Sequence, residues 1–333
     1  MAGHDAVAAL VAEAVGGSRS ALARLISTAE RGGDDAAALE AALLPCHGES
    51  YSVGITGAPG AGKSTLASAL TTELQAGGER VALLAVDPSS PLTRGAILGD
   101  RVRLQPHLGN PDVFIRSMAS RGHLGGLAMA TCTARRVLEA CGWPLVLIET
   151  VGVGQAELDV AGATDTVLVV LNPGWGDEMQ ANKAGLMEIA DIFVINKADR
   201  AGLEATRRDL EAAIAANAPA RRPAIVETVA TEGTGLDALR AAIAAHREQA
   251  TASGELAQRR RARAVTELRD LARARLELAL DGQLAGPAGE ALAGAVTRRE
   301  LDIDSAARRL VADLLNSDSQ RGASRGDPEQ DTP

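Results

Sequence analysis

Residues 57–64 read Gly57-Ala58-Pro59-Gly60-Ala61-Gly62-Lys63-Ser64 and satisfy the phosphate-loop pattern G-x-x-x-x-G-K-[ST] at every fixed position. The residue types fit one chemistry. The glycines let the backbone turn sharply and come close to phosphate oxygens. The loop amides form an anion nest, to which the N-terminus of the following helix, opening at Thr65, adds partial positive charge. Lys63 supplies a compact cation for β- and γ-phosphates, and Ser64 a hydroxyl for Mg²⁺. A nucleoside triphosphate with Mg²⁺ is the expected ligand.

A second group lies downstream. Asn196-Lys197-Ala198-Asp199 is an N-K-x-D tetrapeptide. The Asp199 carboxylate can accept from the ring N1–H and exocyclic amine of guanine, a donor pair that adenine lacks. Asn196 can bond the purine and hold neighbouring loops, and the Lys197 stem can lie along the base or ribose. Val229-Ala230-Thr231 is placed to offer backbone N–H groups to the guanine O6. Asp87 and Glu149 end two apolar runs, and with Ser64 and Asp100 they are expected to organise the metal. Gly152 can donate its N–H to a γ-phosphate, and Gln155 or Glu157 can orient water. Arg94, Arg101 and Arg121 are equal candidates for a transition-state cation. His107 and His123 lack a second ligand at suitable spacing, which disfavours a transition-metal site.

Those residues need a scaffold. Apolar, β-branched runs predict strands at 51–56, 80–86, 113–115, 144–148, 166–171, 192–195 and 224–229, with helices at 65–76, 124–141, 202–217 and 236–247. Such alternation predicts an α/β fold: a mainly parallel sheet with helices on both faces and its ligand beyond the carboxyl ends of the strands. Three helices are expected before it, the second capped by Ser18. One long charged helix is expected over 250–280, ended by the stretch 282–287, with short helices at 288–297 and 304–316. Its arginines, Arg259 to Arg261 and Arg263 among them, read as a solvated face, and Val265, Leu268, Leu271, Leu276 and Leu280 as a stripe for another helix or subunit. The divisions are 1–48, an N-terminal helical segment; 49–249, the nucleotide domain; 250–316, a C-terminal helical extension; and 317–333, a disordered tail.

Hydrophobic residues make up 46% of the 333-residue chain but aromatics only 2%, so the core must be aliphatic. The net charge of −9 argues against nucleic-acid or anionic-membrane partners. Cys46, Cys132 and Cys141 show no metal spacing and fit reduced thiols. With neither a spanning segment nor a signal peptide in view, a cytoplasmic location is expected.

Several stretches resemble the MeaB/ArgK-type G3E P-loop GTPases, the family that includes the methylmalonic aciduria type A protein. They are GAPGAGKST (57–65), AVDPSSPLTRGAILGDRVRL (85–104), FIRSMASRGHLGGLA (114–128), ETVGVGQAE (149–157), the run from Asn172 to Asp199, and TEGTGL (231–236). The resemblance implies a slow, Mg²⁺-dependent GTPase that binds GTP and GDP and dimerises through C-terminal helices. It implies a chaperone that gates cofactor loading of an adenosylcobalamin-dependent acyl-CoA mutase, typically methylmalonyl-CoA mutase, and protects or reactivates it. By the same resemblance Lys183 belongs to the segment coupling nucleotide state to the mutase. Two positions depart from the family pattern: Arg94 replaces a glycine and Val229 a serine, which leaves Val229 a backbone contact only. A nickel metallochaperone, a kinase for a small molecule or transport protein, and a purely structural module are the competing readings. They predict, respectively, His- or Cys-rich sites, a preference for ATP, and a decayed loop.

Overall fold

The computed structural model describes residues 2–46, 48–87, 107, 109–119, 126–150, 162–174, 185, 187–217 and 222–323, and the side chain of Asp87 is not among what it describes. The residues form two compact units, Met1–Ala264 and Val265–Pro333. Among the described residues no helix is long and apolar enough to cross a membrane.

The first unit opens with three helices, α1 (Ala2–Val15), α2 (Arg19–Arg31) and α3 (Gly33–Leu43). The Ser18 side chain caps α2 by accepting from the Ala21 N–H. Then β1 (Tyr51–Gly57), α4 (Lys63–Ala76), β2 (Val81–Asp87), β3 (Val113–Ala119), α5 (Gly126–Ala140), β4 (Leu145–Thr150), β5 (Thr166–Leu171), β6 (Ile192–Asn196), α6 (Leu203–Asn217), β7 (Ala224–Thr228) and α7 (Leu236–Ala252) follow. The strands make one seven-stranded sheet in the order β3-β2-β4-β1-β5-β6-β7. Every pairing in it is parallel.

Side chains alternate across this sheet, as the two-residue strand period demands. Val81 and Leu83 of β2 and Leu145 and Leu147 of β4 pack on the face carrying α4, α6 and α7. Ala82, Leu84, Val146 and Ile148 pack on the other face, against α1 to α3 and α5. Strand β1 sits where the chain order reverses, between β4 and β5, so the loop after Gly57 opens at the switch point. There Gly57 has φ 129°, and a Cβ on it would lie 2.1 Å from the Val170 carbonyl oxygen of β5. Only glycine lets β1 enter the loop so close to its neighbour.

The amino ends of the same strands meet a buried polar cluster. Tyr51 Oη is 2.5 Å from Thr166 Oγ1, which lies 2.7 Å from His246 Nδ1 on α7. His246 Nε2 lies 3.3 Å from Asp191 Oδ1. Asp191 also takes both guanidinium arms of Arg259 at 2.8 Å and the Val167 N–H. An Asp–His–Thr arrangement resembles a hydrolytic triad, but Asp191, His246 and Thr166 are all buried, so no substrate can reach it. Its role is anchorage of the helix α8 (Glu255–Leu284), which carries Arg259.

The structure departs from the sequence expectations in three places. Strand β3 runs seven residues rather than three, because β2 pairs with it residue by residue as far as Ala119, and Arg116 Nη2 donates to Ser27 Oγ and to the Glu30 carboxylate. The helix expected over 250–280 does not begin at 250: α7 ends at Ala252, and Gly254 at φ 78° separates it from α8. At its far end α8 stops at Leu284, inside the stretch 282–287 expected to end it, and Pro287 opens α9 (Pro287–Thr297). Finally α10 (Ile303–Ala323) continues into the stretch expected to be a disordered tail, extension of an existing helix being far easier than nucleation.

Burial pushes the Asp191 carboxyl up, but contacts with His246 and Arg259 outweigh it and hold the group well below the usual carboxylate range. Asp165 is likewise held low: burial raises it, and Arg260, Arg263 and the Ser52 N–H lower it more. A depressed folded-state value means stability that is present above the unfolded value of about 3.9 and lost as pH falls below it. The urea midpoint should therefore drop as pH is taken from about 5 downwards, with a shallower dependence in Asp191→Asn. Equal pH slopes in the two proteins would remove Asp191 from this account.

Candidate nucleotide site

The loop between β1 and α4 is held by side chains on its carbonyls. Lys63 Nζ donates to the Gly57 and Ala58 oxygens at 2.6 and 3.0 Å. Lys197 Nζ donates to Gly60 O at 2.6 Å, and Asn196 Nδ2 to Ala61 O at 2.9 Å. Pro59 contributes no N–H. The Ala61 N–H donates to Ala58 O at 3.2 Å inside the loop; C=O and N–H point to opposite sides of a trans peptide, so tying the Gly57 and Ala61 carbonyls turns the amides of Ala58 and Gly62 the other way. That is the orientation an anion nest needs. Gly62 has φ 93°, and a Cβ there would lie 2.5 Å from Asn196 Nδ2. The glycine thus makes room for the asparagine that braces the loop.

Asn196 ends β6 and is 2% exposed. Its Oδ1 accepts from Thr228 Oγ1 and from the Ala230 N–H, both at 3.2 Å. The phosphate loop, the N-K-x-D turn and the turn after β7 therefore meet on one amide. Lys197 adopts φ 59° and Asp199 is exposed, with Thr65, Ser68 and Ala69 of α4 and Ala230 and Thr231 lining a cavity of about 300 Å³. That is the lower end of the size range for small-molecule pockets. Of the three N–H groups expected to meet the base, that of Val229 donates to Thr234 O and that of Ala230 to Asn196, which leaves that of Thr231. The Val229–Thr234 bridge that closes the turn was not visible in local residue types.

Ser64 Oγ donates to Glu149 Oε1 at 2.5 Å, so two of the expected metal residues are in contact. Glu149 is buried at the end of β4, and Val86, one residue before Asp87, pairs with Thr150. This all-oxygen donor set, a hydroxyl and a carboxylate, suits a hard cation such as Mg²⁺. Asp100, Gly152, Gln155 and Lys183 lie outside the described residues, as do Arg94, Arg101, Arg121, His123 and Glu157. His107 is buried, with its Nε2 3.2 Å from the Ser68 hydroxyl and 3.1 Å from the Ser68 carbonyl of α4.

The family model described as methylmalonyl Co-A mutase-associated GTPase MeaB matches residues 22–283. A protein of Pyrococcus abyssi that carries a GTPase name is 44% identical over 304 residues, 90% of this chain and 94% of that protein. The GTPase ArgK of Escherichia coli is 39% identical over 234 residues, 68% of this chain and 71% of its own length. Among solved structures, that of an LAO/AO transport system kinase is similar with a TM-score of 0.66 at 30% identity, covering 93% of this chain and 97% of that one.

The contact between Gly62 and Asn196 makes their substitutions non-additive. Gly62→Ala should destabilise the chain strongly, and Asn196→Ala should cost about 1–3 kcal/mol by leaving buried partners unpaired. The double variant should be less destabilised than their sum, by about 0.5–3 kcal/mol, because the clash is gone. Urea denaturation of the four proteins measures this, and strict additivity would contradict the contact.

Proposed function

The chain belongs to the methylmalonyl-CoA mutase-associated GTPase family typified by MeaB, and we propose that it is a GTP-driven chaperone of an adenosylcobalamin-dependent acyl-CoA mutase. It is a GTPase with a P-loop fold that binds guanine nucleotides. Methylmalonyl-CoA mutase is the proposed partner, on the strength of the family's name. In this reading the GTP and GDP states present different surfaces to the mutase, gating its cofactor loading and protecting or reactivating it. Lys183 is the proposed link to that partner. A cytoplasmic location and a homodimer belong to the same proposal. Exposed Val265, Leu268, Leu276 and Leu278 on α8 support a second copy as the covering surface.

The observation that carries the nucleotide half is Asn196, which ties the phosphate loop to the guanine-reading turns. With GTP in the loop, the amides and Lys63 bind the β- and γ-phosphates and offset the charge that grows on them. Asp199 accepts from the guanine ring and Lys197 flanks it. Ser64, Glu149, Asp87 and Asp100 are the residues assigned to Mg²⁺, which when bound would neutralise charge between the β- and γ-phosphates. Gln155 orients the attacking water, and the Gly152 N–H senses the γ-phosphate.

The test is GTP hydrolysis by the protein alone and with purified methylmalonyl-CoA mutase. The expected result is slow turnover that rises with the mutase and disappears in Lys63→Ala. No response to the mutase would reject that partner, and equal mutase affinity in the GTP and GDP states would reject the switch. Competition by ATP settles the base: GTP should win, and Asp199→Asn should lose about 1.5–3 kcal/mol of GTP affinity, the worth of hydrogen bonds to a charged group. ATP outcompeting GTP would move the assignment to a kinase.

A further inference from the structure

Cys46 and Cys141 stand far apart in the chain, and the fold brings their segments together. Cys46 follows α3, and Cys141 follows α5. The two helices are joined by Glu40, which accepts from Arg136 Nε at 2.9 Å, from Arg136 Nη2 at 2.6 Å and from Thr133 Oγ1. Just beyond, the backbones touch: a Cβ on Gly48 would lie 2.1 Å from the Glu139 carbonyl oxygen. Gly48 comes two residues after Cys46, and Glu139 two before Cys141. Both cysteines pack against the apolar cluster shared by α1 to α3 and α5.

Both thiols are free and half-buried, whereas Cys132 is buried. Cys46 Sγ donates to Ala42 O at 3.8 Å, a weak bond that a thiol gives up at little cost. Burial pushes the Cys141 thiol up to about 11, and Cys46 is near enough to add to that shift. Cys141 is therefore protonated at neutral pH and a slow nucleophile. Thiol exchange is expected to begin at Cys46 and to be completed by Cys141.

We infer that Cys46 and Cys141 form a thiol-oxidation site, reduced at rest and closed to an intramolecular disulfide by a small-molecule disulfide such as oxidised glutathione. The Cys46 thiolate attacks one sulfur of the reagent, whose S–S bond breaks to release one thiol. The Cys141 sulfur, losing its proton, then displaces the second thiol from Cys46. Two protein S–H bonds are lost and one S–S bond forms, and the two electrons and two protons leave on two small thiols. The closed bond ties the chain after α3 to the end of α5, across a loop that holds β1, α4, β2 and β3. Crosslinking so long a loop restricts the unfolded chain and favours the folded one. The N-terminal helices are then fastened covalently to the helix they pack on.

Incubating the full chain with oxidised glutathione and weighing it intact tests this. The mass should fall by about 2 Da with no glutathione retained. Alkylatable thiols in the denatured chain should fall from three to one. A digest should hold the Cys46 and Cys141 peptides joined until dithiothreitol is added. The oxidised chain should unfold at a higher urea concentration than the reduced one. That difference should vanish in Cys46→Ser and Cys141→Ser and persist in Cys132→Ala. Three remaining thiols, a glutathione adduct that never closes, a bridge to Cys132, or a bond between two chains would each overturn the inference. The peptide map needs no variant, so it decides even where a variant fails to fold.

Discussion

One buried carboxamide sets the geometry of the nucleotide end. Asn196 has a donor and an acceptor face, and each is engaged by a different loop. Neither leucine nor aspartate could replace it: the first has no polar atoms, and the second has no donor for Ala61 O. The loops before and after are otherwise far apart in sequence, and without a shared partner each would be free to choose its own conformation. The demand reaches Gly62, where a side chain would occupy the amide's place. It also reaches β6, whose final residue must present Asn196 beside the turn after β7.

The other end of the sheet is organised by charge. Asp165 and Asp191 stand immediately before β5 and β6, and α8 answers them with Arg259, Arg260 and Arg263. Buried ion pairs are weak contributors to net stability, because desolvation offsets much of their attraction. Their value is in selecting one arrangement, since only one register of the helix gives Asp191 the Arg259 fork and Asp165 both Arg260 and Arg263 at once. Strands β5 and β6 therefore run from a charge-keyed root to the phosphate and base turns.

Much of this was legible in the residues. The phosphate loop, the strand ending in Asn196 and the cap at Ser18 each announce themselves locally, because their physics is local. The arginines of α8 did not. As a charged helix they look like a solvated face, and only the fold shows that three of them meet buried acids. A signal was present in the acid that directly precedes each apolar run, Asp165 before Thr166 and Asp191 before Ile192. A carboxylate there must either be at the surface or have a partner. The extra length of β3 was hidden for the same reason: Arg116 looks like a strand end until Glu30 of α2 is placed beside it. The turn at Val229 reads as three available amides, yet the antiparallel bridge to Thr234 consumes one of them.

The N-terminal helices also decide how the molecule behaves in company. Among the described residues strand β3 is an edge of the sheet, and edges template pairing between chains. Here Arg19 of α2 caps the approach to it, donating to the carbonyls of Asn110, Pro111 and Val113, while its guanidinium lies over the Phe114 and Trp143 rings. Arg116, halfway along the edge, is tied to α2 as well. A chain trimmed of its first three helices would keep every phosphate-loop residue yet bare the part of an apolar sheet face that α5 leaves uncovered, together with the β3 edge. Self-association and precipitation, rather than a smaller working enzyme, are what such a truncation invites.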